Sequence, residues 1–407
     1  MNPTRARKVA AAVGLAALLA CAAWLAWQTY APGRALRQPT TKIVASKADL
    51  WTRIRADPGF FPVGVWYQSP QRLEQYRVLG VNLFVVTNGE TTTADLDRFA
   101  ASGTYLVPQR SPGFPLGHAD KTVLGWFLID EPDNAQPKPE GGYGPCLSAD
   151  EMQQRYAAAK RLDPRPVILN LGAGVADPGW VGRGECTGQT DTYYPGVLHA
   201  GDIIGFDYYA VMQGERRLER VAHGVRNLRR WMAMGAMHKP LWVFVEAASI
   251  DGVHTPTATE LRAQAWLAVI NGARGIVWFP WQVATDGQRK REDELFAHPD
   301  LVEEVRTTSM DLRNLARVLN TGRSLALTTT GPASVIARSD GADAWIFVAS
   351  ESPKDAMVTL SSGWVGKRAI FPLRLGGRIA GRSDGRIDLA LAPYGVALIR
   401  LAPATGS

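Results

Sequence analysis

Between residues 60 and 282 the chain alternates two kinds of segment. Short runs rich in β-branched and aromatic residues (FPVGVWY, VNLFVV, TYLVP, VLGWFLID, PVILNL, DIIGFDYYAV, PLWVFVEA and RGIVWFPW) are separated by longer stretches whose apolar positions recur at helical spacing. The runs lack the polar alternation of a strand with one wet face, as expected where both faces of a parallel sheet are covered. Eight strands with helices between them predict an α/β fold, a closed (β/α)8 TIM barrel, over residues 50–319. The helix starts agree: Ser69 precedes Pro70, Ser148 with Glu151 and Thr257 with Glu260 form capping boxes, and Pro299 opens the last helix. Two connections are irregular. Residues 111–122 are too short and too rich in Pro and Gly for a full helix, and residues 172–201 form a long loop after the fifth strand.

After Asn320 the pattern changes to alternating strands with turns such as SDGADA and SDGRID, which predicts a small C-terminal β-sandwich over residues 320–407. At the other end Arg5, Arg7 and Lys8 precede an unbroken apolar run from Val9 to Trp27. That run is long enough to cross a bilayer, and Trp24, Trp27 and Tyr30 stand where interfacial aromatics anchor a helix. It reads as a transmembrane signal anchor over residues 1–30, with residues 31–49 as a tether. Two alternatives remain open: a lipoprotein modified at Cys21, which closes an LLAC segment, and a cleaved signal peptide. All three export the body, so the expected location is the inner membrane, facing the periplasm or the cell exterior. In an oxidising compartment Cys146 and Cys186 are candidates for a disulfide.

Composition narrows the partners. The net charge of +7 is spread over scattered basic residues, with no dense Lys/Arg block, which speaks against nucleic acid. The histidines lack metal-ligand spacing and no G-x-S-x-G elbow is present, so neither a metal nor any other cofactor is expected. In a barrel of this kind the chemistry sits at the C-terminal ends of the strands. Those ends read Trp66, Tyr67 and Gln68; Thr87 and Asn88; Gln109 and Arg110; Asp130 and Glu131; Asn170; Asp207, Tyr208 and Tyr209; Glu246; and Trp278, Trp281 and Gln282. Aromatic faces stack on pyranose rings while amides and carboxylates bind hydroxyl groups, so this mouth suits a sugar polymer or oligomer. Hydrolysis of a glycosidic bond needs two carboxyl groups flanking it, and Glu131 and Glu246, closing strands four and seven, fit those roles.

The segments GWFLIDEPDN and LWVFVEA resemble the acid/base and nucleophile strands of clan A, the large barrel clan of retaining glycoside hydrolases that includes β-galactosidases, cellulases and xylosidases. The likeness covers the barrel as a pattern, extends to the closing PYGVALIRL, and selects no single family. It implies Glu131 as general acid/base, Glu246 as nucleophile, Tyr208 or Tyr209 as the tyrosine that hydrogen-bonds the nucleophile, and Trp278 or Trp281 as the aromatic under the reacting sugar. Trp66 and Trp281 are the expected sugar platforms, and Tyr67, Asn88, Asn170, Asp207 and Gln282 further binding groups. One position departs: many clan members have Asn where this chain has Asp130. A carboxylate there is expected to keep Glu131 protonated. The sequence thus predicts a retaining glycosidase, with a transglycosylase or an inactive glycan-binding barrel as alternatives.

Overall fold

A computed structural model describes residues 49–138, 140–177, 190–212, 214–283, 290–366 and 368–403. The apolar N-terminal run, with Cys21, and Cys186 lie outside the described residues. Among those described, no helix is long and apolar enough to cross a membrane.

Eight parallel strands form the centre: β1 Val63–Gln68, β2 Leu83–Thr87, β3 Tyr105–Val107, β4 Trp126–Phe127, β5 Val167–Leu171, β6 Ile203–Asp207, β7 Leu241–Glu246 and β8 Ile276–Phe279. Each lies in one of the eight apolar runs or ends one residue past it. Their order is β3-β2-β1-β8-β7-β6-β5-β4, and parallel bridges Leu106 to Val123 and Gln109 to Phe127 close the ring between β3 and β4. At that seam the Phe127 N–H donates to Pro108 O at 2.9 Å and the Leu124 N–H to Leu106 O at 2.9 Å. Alternate residues of each strand therefore face an inner and an outer core. Phe127, Ile168, Trp242, Phe244 and Val277 belong to the inner cluster, whereas Leu169, Ile204, Val243 and Ile276 pack outward against helices.

The capping boxes at Ser148 and Thr257 form, and a third forms at Thr92 with Asp95. Ser69 precedes a 3-10 turn, Pro70–Arg72, that runs into the helix Leu73–Arg77, and it gives no side-chain cap, because its hydroxyl turns to Gln71. Between β3 and β4 there is a 3-10 turn, Leu116–Lys121. The helix Asp49–Ala56 lies across the N-terminal end of the barrel, with Ile54, Leu50 and Trp51 against the inner cluster.

Past the barrel, strands between Arg323 and Ala402 build a five-stranded and a four-stranded antiparallel sheet around their own core. The helix Ala258–Asn271 (ATELRAQAWLAVIN) lies between barrel and sheets and is apolar on nearly every face for that reason. Trp266 on it stacks on Phe347 with ring centroids 5.7 Å apart.

Candidate active site

Near the mouth, Tyr67, Val86 and Glu131 adopt left-handed backbone (φ 51°, 56° and 43°), a conformation that disfavours side chains with a Cβ and tends to persist where function requires it. At β1 and β2 the kinks break alternation, so that Trp66 and Tyr67, and likewise Val85 and Val86, all join the inner cluster. At the end of β4 the same conformation accompanies two successive carboxyl groups, Asp130 and Glu131, that both act on Asp207 of β6.

These groups form one network. Asn170 on β5 donates from Nδ2 to Asp130 Oδ1 at 2.9 Å and to Asp207 Oδ2 at 3.0 Å. Room for its amide comes from Gly205, where a Cβ would stand 2.9 Å from Asn170 Oδ1. Asn134 donates to Glu131 Oε2 at 2.8 Å, and Asp207 is hydrogen-bonded to Glu131. A carboxyl group in such contact with other carboxyls resists ionisation. Burial, and then the charges of Glu131 and Asp130, hold the Asp207 carboxyl well above the usual carboxylate range. The carboxyl that these neighbours push upward is Asp207, brought in by the fold from another strand.

Glu246 is 0% exposed. Its Oε1 accepts the Val211 N–H at 2.6 Å and its Oε2 the Met212 N–H at 3.1 Å. The Gln264 amide on the helix Ala258–Asn271 lies close enough to favour the ionised form, although neither of its polar atoms reaches hydrogen-bond geometry. Burial outweighs these donors and pushes the carboxyl up to about 8. Tyr209 connects the two halves of the site: burial first, then the charges of Asp207, Asp130, Glu131 and Glu246, raise its phenol well above the usual range.

Other expected residues separate by which way they face. Tyr208 packs in the outer core, as does Trp278, whose Nε1 donates to Ser309 Oγ at 3.1 Å. Alternation counted from Asp207, and from Val277 to Phe279, sends both away from the lumen, so Tyr209 and Trp281 remain as the inward members of each pair. Trp66 (5% exposed) packs on Phe127 and Phe244, and Trp281 (6%) packs at a tilt on Tyr67, with ring centroids 5.2 Å apart, and donates to Tyr67 O at 2.8 Å. Both rings are buried in the inner cluster and neither is an exposed platform. Asn88 donates to Glu292 Oε2 at 2.7 Å, and half-buried Gln282 pairs with Arg291 across a two-residue ladder.

Sequence reasoning missed Glu292, which also accepts from Arg72 Nε at 2.8 Å and so ties the loop after β8 to the ends of β1 and β2. It missed the roles of Asp133 and Asn134 too, although the DEPDN run contains them. Asp133 accepts the Gly172 N–H at 2.9 Å and the Tyr194 hydroxyl at 2.9 Å, and burial pushes it up to about 6. Cys146 is disulfide-bonded. Among the described residues no group of three or more His, Cys, Asp or Glu side chains is placed to hold a metal ion.

Neither a family model nor a curated protein sequence matches the chain. Among solved structures it is similar to an α-amylase from H. orenii, at 10% identity and a TM-score of 0.49, over 84% of this chain and 99% of that one. It is similar to an α-amylase from Geobacillus thermoleovorans complexed with acarbose (10%, 0.45, 85% and 99%). A third likeness is to a glycoside hydrolase family 30 subfamily 8 xylanase from Clostridium acetobutylicum (11%, 0.42, 84% and 96%). At these values the likeness assigns neither a substrate nor a residue's role.

Proposed function

We propose that the protein is a retaining glycoside hydrolase acting by double displacement on a poly- or oligosaccharide outside the cytoplasm. The observation that carries this reading is the cluster of Asp130 and Asp207 joined through Asn170, with Glu131 beside them, at the C-terminal end of a closed barrel whose β7 ends in Glu246. Glu131, drawing on a proton that it would share with Asp207, protonates the leaving oxygen while Glu246 attacks the anomeric carbon. Water, giving its proton to Glu131, then releases the sugar from Glu246. Retention rests on the clan A resemblance of the β4 and β7 segments.

Attack needs Glu246 ionised and uncovered, so the Val211–Met212 segment must release it when substrate enters. The full chain is to be assayed for new reducing ends on a panel of bacterial and plant polysaccharides beside Glu246→Gln. Activity lost in the variant supports the assignment; activity retained overturns it. The anomer of the first-formed product, read by NMR, tests retention.

The complete burial of Glu246 favours a second reading, a barrel that binds glycan without cleaving it. On that reading no polysaccharide yields reducing ends, and a binding screen finds a ligand whose affinity Glu246→Gln barely changes. Placement outside the cytoplasm is supported by the disulfide at Cys146 and by the apolar run of residues 9–27, as an anchor or as the leader of a lipoprotein modified at Cys21. An alkaline phosphatase fusion after residue 49 that stayed inactive would count against it.

A further inference from the structure

A cavity of about 590 Å³ lies at the N-terminal end of the barrel, opposite the mouth. Trp51 and Arg55 of the helix Asp49–Ala56 form one wall; Arg229 and Met232 of the helix Glu219–Met234, Trp242 of β7 and Arg274 before β8 form the rest. Conserved chemistry at this end of a barrel is not catalytic as a rule, so a cavity here calls for a different account.

Its charge is one-sided. Arg274 has Arg338 and Arg229 as its charged neighbours, and burial together with these like charges pushes its guanidinium below the ordinary value. Arg338, on the sheet strand Ala333–Asp340, is pushed down by burial and by Arg229. Among the described residues, none of Arg55, Arg229, Arg274 and Arg338 is ion-paired with an acid. Among the described residues Arg229 donates only to a backbone oxygen, Asn271 O at 3.0 Å, and Arg338, whose Nη1 donates to Ser324 Oγ, keeps its Nε buried without a partner. Lys239 is already engaged by Leu198 O at 2.7 Å and Gly201 O at 2.6 Å. Asp57 is the one acid on the described lining, and its Oδ1 accepts the Gly59 N–H of its own turn at 2.8 Å. Trp242, fully buried, also reaches the cavity wall, and among the described residues its indole N–H finds no partner.

We propose that this cavity binds a phosphate-bearing ligand, held by Arg229 and Arg274 with Arg55 at its edge and the unpartnered indole of Trp242 on its wall. Guanidinium forks match phosphate oxygens in pairs, and a dianion answers several positive charges where a single carboxylate would not. Trp51 and Met232 give the remaining volume an apolar side that suits an organic group attached to the phosphate. That chemistry has two sources, a soluble phosphate ester or ion and a phospholipid headgroup. The second fits the placement of the cavity against helix Asp49–Ala56, where the chain enters the fold from its apolar N-terminal run.

The test uses the full chain in neutral detergent, titrated with inorganic phosphate and, separately, with dihexanoyl phosphatidylglycerol below its micellar range. Tryptophan fluorescence and melting temperature are followed. The expected result is saturable binding of at least one probe, weakened tenfold or more in Arg229→Gln/Arg274→Gln. A response to phosphate identifies a soluble ligand, and a response to the lipid alone identifies a headgroup. In anion-free buffer Arg274→Gln should melt higher than wild type, because it relieves like-charge crowding. If the double variant fails to fold, the exposed Arg55→Gln should weaken binding by a smaller factor. No saturable response to either probe, or equal binding in wild type and variants, overturns the proposal.

Discussion

At the mouth of the barrel Asp130, Glu131 and Asp207 crowd within reach of one another, and at the opposite end Arg229, Arg274 and Arg338 do the same with opposite sign. The two clusters relieve their repulsion differently. A carboxyl group can take up a proton at moderate pH, so the acidic cluster can act as a proton store, with the Asp207 carboxyl held above its usual range beside Glu131. A guanidinium cannot lose its proton under such conditions, so the basic cluster is balanced only by a counter-ion from outside. Like charges gathered by a fold therefore point to acid–base chemistry when they are carboxyls and to anion binding when they are arginines.

The sharpest way to break this contrast at the acidic end is Glu246→Gln. If Glu246 is the nucleophile, kcat falls by about 10⁴-fold or more, and added azide restores turnover only if a small anion can replace the carboxylate. Next, Glu131→Gln should lower kcat by roughly 10²- to 10⁴-fold on substrates with poor leaving groups. The loss should be far smaller on activated aryl glycosides, whose leaving oxygen needs no proton; an equal loss on both would remove Glu131 from the acid role.

Asp207→Asn should have a smaller effect, on the order of tenfold. Its amide can donate to Glu131 but cannot store the shared proton, so the falling alkaline limb of kcat/KM should move to lower pH. A profile identical to wild type would show that no proton is shared.

The mildest test is thermal. Glu246 titrates at about 8 in the fold, above its ordinary value of 4.5. A raised carboxyl stabilises the fold most fully below the unfolded value, and that contribution is lost as pH rises through the folded one. Wild type should therefore lose melting temperature relative to Glu246→Gln between pH 5 and 9. A difference independent of pH would mean that the carboxyl is not desolvated as the structure has it. Tyr194→Phe, which removes one buried hydrogen bond to Asp133, should destabilise by about 1 kcal/mol in urea unfolding.

The sequence by itself determined the eight strands, the capping boxes at Ser148 and Thr257, the change to antiparallel sheets after residue 320, and the positions of Glu131 and Glu246 at strand ends. Hydrophobic periodicity and capping are local, and local chemistry is legible along a chain. Parity within a strand also carried more than was drawn from it, since counting by twos from Asp207 selects Tyr209 over Tyr208. Only the tertiary structure decided the rest. The left-handed turns at Tyr67 and Glu131 break that parity. The contact of Asp207 with Glu131, the amide cradle around Glu246 and the arginines beneath the barrel each join segments distant in sequence. Their ionisation depends on burial and on neighbours that no local pattern specifies, because desolvation and charge act through space and not along the chain.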